Sequence, residues 1–337
     1  MTDSDKQHIS LVVCGHVDAG KCFLAGTKIK MFNGSSKFVE DIEKGDKLMG
    51  MDSKPRTVQS TTFGKSEMFN IIPSSYGSVY TVNDEHILTL KTTGCKNLIY
   101  DKDRNRYRIR YLTRNGLVEK SFSKSQYSDS YQLEAEKFFE SLKNTDDVLQ
   151  KGVVVDMSVK DFIKMPKSSQ SMFKGFAVGV DYPETTIDMD PYIYGLWLGD
   201  GTSKASSITS ADAEIVDYIT NWSTTNKLFV NKIGDYRYDI TTNKATGGPG
   251  RNIFTNFLKN NDLWDNKHIT PNYKYNSRSV RLSILAGIID SDGHMTHNCY
   301  DLIFKSNLLA NDVVELSKSL GFRTVIYECN KTGQPLL

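Results

Sequence analysis

A chain of 337 residues with 39% hydrophobic and 11% aromatic side chains carries enough apolar material for two or three packed domains, which excludes a disordered or fibrous polypeptide. A formal net charge of +2 excludes whole-chain electrostatic attraction to nucleic acid, so any basic surface must be local. Five cysteines without C-x-x-C pairing exclude a zinc ribbon or disulfide framework, and the polar start has no apolar run of signal or membrane length, so a cytoplasmic protein with no membrane partner is expected.

The first predicted element is an apolar strand, Leu11-Val12-Val13, running into Gly15-x-x-x-x-Gly20-Lys21. That pattern cradles phosphate on backbone amides, and its next residue should be Ser or Thr to reach Mg²⁺. Here the next residue is Cys22, a soft sulfur where a hard cation prefers oxygen. No amphipathic helix opens after it to receive the phosphates on its N-terminus. The loop reads as interrupted by an insertion.

The wording Gly15-His16-Val17-Asp18-Ala19-Gly20-Lys21 resembles the phosphate loop of the translational GTPases, especially the elongation factor one-alpha and release-factor group. The resemblance covers only the residues before Cys22. It implies a host that binds GTP through Gly15, Asp18, Gly20 and Lys21, with tRNA and the ribosome as partners of the spliced factor. No later D-x-x-G or N-K-x-D follows, so the chain as written is not expected to hydrolyse GTP.

After Cys22 the signals are those of short strands and tight turns: Asn33-Gly34 marks a hairpin, and Gly45-Asp46 and Asp52-Ser53 punctuate the next pair. The pattern Cys22-Phe-Leu-Ala-Gly-Thr, with Val39-Glu-Asp-Ile and Gly45-Asp46, resembles the first block of an intein, the self-splicing Hint fold. Tyr80-Thr81-Val-Asn83-Asp-Glu-His86 resembles its second block. The resemblance implies that the Cys22 thiolate attacks the Lys21 carbonyl, a role that suits sulfur because it is strongly nucleophilic near neutral pH. His86 would protonate the departing amide nitrogen, and Asn83 or Thr81 would orient the scissile peptide. Splicing needs no cofactor.

Between Lys96 and Lys124 nine cationic residues face three acids, and Arg104, Arg106, Arg108 and Arg110 alternate with other residues at strand periodicity. Same-face side chains repeat at about 6.5 Å, close to the phosphate spacing of a nucleic-acid strand, so a DNA-contacting ribbon lacking balancing acids is the expectation. The resemblance to vacuolar-ATPase-type inteins implies a DNA-recognition region at this place. A polar helix with Phe138, Phe139 and Leu142 on one face is predicted next, and residues 151–182 read as re-entry into the splicing domain.

Ile193-Tyr-Gly195-Leu-Trp-Leu-Gly199-Asp200-Gly201 recurs as Leu285-Ala-Gly287-Ile-Ile-Asp-Ser291-Asp292-Gly293. Each reads as an apolar helix ending at Asp-Gly, with small residues four apart that let two backbones pack closely. Asp-Gly is also an ordinary helix C-cap. The pair resembles the two motifs of a LAGLIDADG homing endonuclease. That resemblance implies double-stranded DNA, the intein-less host gene, as substrate, with Asp200 and Asp292 sharing Mg²⁺ between two scissile phosphates. Asp290 has Leu198 as its counterpart and is given no role. Asn266-Lys267-His268-Ile269-Thr270-Pro271 resembles the family's basic segment, with Thr270 departing from it, and makes Lys267 the candidate to stabilise charge on the cleaved phosphate.

Residues 305–321 predict a helix ending at Gly321. His297-Asn298-Cys299 matches an intein's terminal tripeptide literally but follows the second motif too closely to serve as one. A C-terminally truncated sequence is the expectation. The fold class is mixed: 1–21 as a GTPase fragment, 22–95 as an all-β Hint domain, 96–150 as a DNA-recognition insertion, 151–182 as Hint re-entry, and 183–337 as an α+β endonuclease. A free-standing endonuclease would explain only the later motifs, and a nucleotide-binding module only the first.

Overall fold

The computed structural model describes residues 9–13, 22–73, 77–94, 96–242 and 251–328. The chain divides into two compact units, one of residues 1–31, 36–48 and 56–176, the other of 32–35, 49–55 and 177–337.

The first unit is built from small antiparallel sheets. Its largest has strands in the order 60–64, 9–13, 22–24, 80–83 and 68–71. Short β-rich segments between turn residues produce this arrangement, as expected from the punctuation. Gly34, at φ +89°, turns the hairpin between Lys28–Lys30 and Ser36–Phe38, and Gly45 at φ +97° and Ser53 at φ +61° turn the chain around Lys47–Met49. The strand Ile9–Val13 forms as expected but pairs antiparallel with Cys22–Leu24 on one side and Ser60–Gly64 on the other. It is therefore a strand of the first unit's largest sheet. A parallel nucleotide-binding sheet pairs its strands the other way, through βαβ crossovers.

Lys96–Asp101, Arg106–Thr113 and Gly116–Ser123 form a three-stranded sheet whose apolar face, with Ile109 and Phe122, packs on Ala135 and Phe138 of the helix Tyr131–Ser141. Leu112 and Leu149 join Val82, Leu88 and Val155 in the neighbouring core, so 96–150 shares packing with the sheets on either side of it in sequence. Val154–Ser158 and Phe173–Lys174 then flank Ile87–Thr92 in a second small antiparallel sheet. Residues 177–182 belong to the second unit because the Val180 N–H donates to Ser319 O (2.8 Å) and Val180 O accepts from Arg281 Nη2 (2.6 Å).

The second unit is organised on two helices, Pro191–Asp200 and Arg278–Asp292. The first begins with Pro191 in its first turn and with Asp190 Oδ1 accepting from the N–H groups of Tyr192 and Ile193 at 2.9 Å each. It buries Ile193 through Leu198 without a break, as a helix hydrophobic all round must. The helices cross on their small residues. A Cβ on Gly195 would lie 2.3 Å from Ile284 O, and one on Gly287 would lie 2.4 Å from Tyr192 O. Gly201 and Gly293 are not left-handed caps: their φ values are −78° and −88°. A Cβ there would instead strike Trp197 Cδ1 at 2.3 Å and Ile289 O at 2.4 Å.

Around the pair lie the strands Ser207–Thr209, Arg237–Thr241 and Phe229–Ile233, and the helices Ala213–Thr225, Ile253–Asn260 and Asn307–Ser319. The last ends as predicted, with Gly321 at φ +91° and the Phe322 N–H donating to Ser317 O at 3.0 Å. His297 and Asn298, at φ +50° and +63°, are the central pair of a two-residue turn between His294–Thr296 and Cys299–Asp301. Turn geometry thus accounts for this tripeptide. Among the described residues no helix is long and apolar enough to cross a membrane.

Gly195→Val is expected to destabilise the second unit by about 2 kcal/mol or more, because the added carbon meets backbone that has no rotamer to change. Gly175→Ala, where a Cβ meets nothing within 4 Å, is expected to stay within about 0.5 kcal/mol of the parent. Urea denaturation of both variants checks this.

Candidate functional site

In the first unit Cys22 opens the strand Cys22–Leu24, whose neighbour is Tyr80–Asn83 with Phe23 opposite Val82. That register carries Asn83 to Cys22. The backbone N–H of Cys22 donates to Asn83 Oδ1 at 3.1 Å, and this N–H belongs to the Lys21–Cys22 peptide. Asn83 is buried, as is His86. The intervening turn is closed by the His86 N–H donating to Asn83 O at 3.3 Å, and His86 O accepts from the Val159 N–H at 2.9 Å. The His86 ring stands edge-on to Phe23, the residue after Cys22, with centroids 4.7 Å apart. Thr81 does not join them in this way. Its hydroxyl donates to Asn70 Oδ1 at 2.7 Å, so of the two candidates the sequence offers, Asn83 is the one that holds the peptide.

Partial burial pushes the Cys22 thiol above its ordinary pKa, and the nearby Asp84 carboxylate pushes it the same way. Nothing in the sequence marks Asp84, which sits inside the second block as one acid among several. Lys21 and the other expected phosphate-loop residues, Gly15, Asp18 and Gly20, lie outside the described residues.

In the second unit the crossing helices end together. A Cβ on Gly199 would lie 3.3 Å from Asp292 Cβ, which fixes how near the second carboxylate comes to the end of the first helix. Both carboxyls are held above the usual range, Asp200 by burial and Asp292 by burial and then by the Asp200 charge. Lys267 draws both back down. Its ammonium donates to Leu198 O (3.1 Å) and Gly199 O (3.0 Å), the carbonyls at the negative end of the first helix. Burial pushes its pKa down to about 8, against the opposing pull of Asp200 and Asp292. The three predicted residues therefore form one electrostatic cluster. Asp290 lies apart from it and accepts from the Tyr192 hydroxyl at 2.9 Å. Among the described residues no group of three or more His, Cys, Asp or Glu gathers to hold a metal.

The arginine ribbon differs from the expectation. Arg104 lies in the turn before Arg106–Thr113, not on the strand. The other three face acids on the flanking strands: Asp101 lies 3.4 Å from Arg106 and 3.6 Å from Arg108, and Glu119 lies 2.9 Å from Arg110 and 3.6 Å from Arg108. Hairpin register places these acids beside the arginines, so the face is largely balanced.

Residues 22–151 match the family described as Hom_end-associated Hint. Similar proteins include the V-type proton ATPase catalytic subunit of Candida tropicalis, 22% identical over 90% of this chain and 35% of that protein. The replicative DNA helicase DnaB of Mycobacterium intracellulare is 34% identical over 44% of this chain and 22% of its own length. The homothallic switching endonuclease of Saccharomyces cerevisiae is 26% identical over 40% of the chain and 28% of that protein. The chain thus spans about a fifth to a third of the length of these relatives. The match to the ATPase protein covers most of the chain, and the Hint match includes residues 96–150.

The raised thiol pKa gives a pH test. Alkylation of Cys22 by iodoacetamide, followed by peptide mass spectrometry, is expected to rise with pH and level off at a higher pH than that of a free cysteine thiol, because burial and Asp84 disfavour the thiolate. Asp84→Asn removes a negative charge that disfavours the thiolate, so its profile shifts to lower pH.

Proposed function

We propose that this chain is an intein bearing a LAGLIDADG homing endonuclease, inserted into the phosphate loop of a translational GTPase. One observation carries the splicing reading: the N–H of the Lys21–Cys22 peptide is held by the buried Asn83 amide, with His86 packed on the next residue. The Cys22 thiolate attacks the Lys21 carbonyl carbon, a C–S bond forms, and the C–N bond breaks. The Cys22 nitrogen leaves as an amine after taking a proton from His86, which converts the amide to a thioester. Asn83 contributes orientation by fixing the plane of the peptide before attack. The host assignment rests on the wording of Gly15 to Lys21, and excision would restore a hydroxyl after Lys21 so that the host can hold GTP.

The endonuclease reading rests on the convergence of Asp200, Asp292 and Lys267. Two carboxylates strained by burial and mutual repulsion suit a divalent cation, and their oxygens are the hard donors Mg²⁺ takes, with DNA phosphate and water completing the shell. Asp200 and Asp292 would hold the ion, which supplies Lewis-acid stabilisation at the phosphate when bound. Lys267 supplies positive charge beside them for the cleaved phosphate. Because the arginine face at 106–110 is largely balanced by acids, the second unit is the better-supported DNA surface.

In a splicing-competent precursor, Cys22→Ala is expected to abolish cleavage at Lys21–Cys22, followed by gel mobility; persistence of that cleavage sinks the assignment. Asn83→Leu should slow the step about 10- to 100-fold with the fold intact. Asp200→Asn should remove Mg²⁺-dependent cutting of the intein-less host gene while splicing proceeds at the parent rate, and joint loss without misfolding would contradict the division of labour.

A further inference from the structure

Lys267 sits on a segment without regular structure, Asn266 to Thr270, yet its ammonium meets two particular carbonyls. Something must hold that backbone. The Tyr194 hydroxyl, on the first motif helix, donates to His268 O at 2.6 Å and accepts from the Thr270 N–H at 3.3 Å. Between those two contacts the Ile269 N–H donates to Asp312 Oδ2 at 2.8 Å. Asp312 is itself fixed on the helix Asn307–Ser319, where its other oxygen pairs with Lys274 Nζ at 2.6 Å. Tyr194 is fully buried, with its ring edge-on to Phe257 and Tyr273, each at 5.0 Å between centroids.

We propose that Tyr194 and Asp312 are positioning residues that set the place of Lys267 relative to Asp200. This inference rests on the endonuclease reading. Tyr194 lies on the helix that delivers Asp200 and whose last carbonyls receive the ammonium, so one rigid element fixes the backbone of the lysine, its charged end and the neighbouring carboxylate. Burial pushes the Tyr194 phenol upward, so it stays protonated and remains a donor to His268 O. Asp312 ties the same segment from a second helix, which leaves three consecutive residues next to Lys267 with an anchored backbone group. An error of one ångström in such a group is enough to cost catalysis without changing what binds.

The test compares Tyr194→Phe and Asp312→Ala with the parent, each with Lys267 intact and with Lys267→Met. The probe is a supercoiled plasmid carrying the uninterrupted host gene, with Mg²⁺. Tyr194→Phe keeps the buried ring, so the fold survives in at least one variant, which melting curves check. Single-turnover cleavage is expected to fall about 10- to 100-fold with DNA affinity unchanged. In the Lys267→Met background the same changes should cost nothing further, because the residue they position is gone. Amide hydrogen exchange without metal gives a separate readout: Tyr194→Phe should release Thr270, and Asp312→Ala should release Ile269. Parent-level cleavage by both variants, or equal losses in both lysine backgrounds, overturns the positioning role while the endonuclease reading stands. A folded parent that does not cut the probe overturns both.

Discussion

The second unit depends on a contact between two helix backbones. At Gly195 and Gly287 there is no room for even one carbon, so the helices Pro191–Asp200 and Arg278–Asp292 approach as closely as peptide groups permit. Everything at their ends inherits this spacing. Asp200 and Asp292 come near enough for one charge to raise the other's pKa, and the first helix's final carbonyls lie open to Lys267. Repulsion between like charges is the cost of the arrangement, and a shared counter-charge is the physical remedy. Lys267 draws both carboxyls down, but burial, and at Asp292 the Asp200 charge, outweigh it and both stay above the usual range.

The first unit solves a different problem with strand register. A peptide bond is stable because its nitrogen leaves poorly, so cleavage needs a fixed amide, a nucleophile and a proton source. The pairing of Phe23 with Val82 aligns Asn83 with the Cys22 amide, and the turn that follows brings His86 against Phe23. A slip of one residue would send Asn83 to the opposite face of the sheet. Burial and Asp84 disfavour the Cys22 thiolate, so on the proposed splicing reading the step would lean on orientation of the peptide.

Local chemistry was legible in the sequence, and partner choice was not. The Gly34, Gly45 and Gly321 turns were readable because left-handed backbone favours few residue types. The two motif helices were readable because small residues four apart have one packing use. The arginine ribbon was misread for a definable reason. Alternation of Arg104 with its successors continues across the turn into the strand, and whether Asp101 and Glu119 face the arginines depends on a register the periodicity does not contain. The glycines after Asp200 and Asp292 read as caps, but they serve close approach to the preceding turn. Tyr194 and Asp312 were invisible, since a phenol inside an apolar helix gives no hint that its partners lie at His268 and Thr270.

The strand Ile9–Val13 precedes Cys22 in the chain yet sits between two strands that follow it. On the proposed splicing reading, the sheet beside the Lys21–Cys22 bond is therefore completed by residues on the other side of that bond. On that reading, material to be separated would be part of the sheet's own scaffold until separation. A Hint domain moved to a new location would bring its catalytic side chains with it and leave this strand behind. Its transplantability is thus set by the β-pairing capacity of whatever sequence it lands beside, as well as by the residue that abuts Cys22.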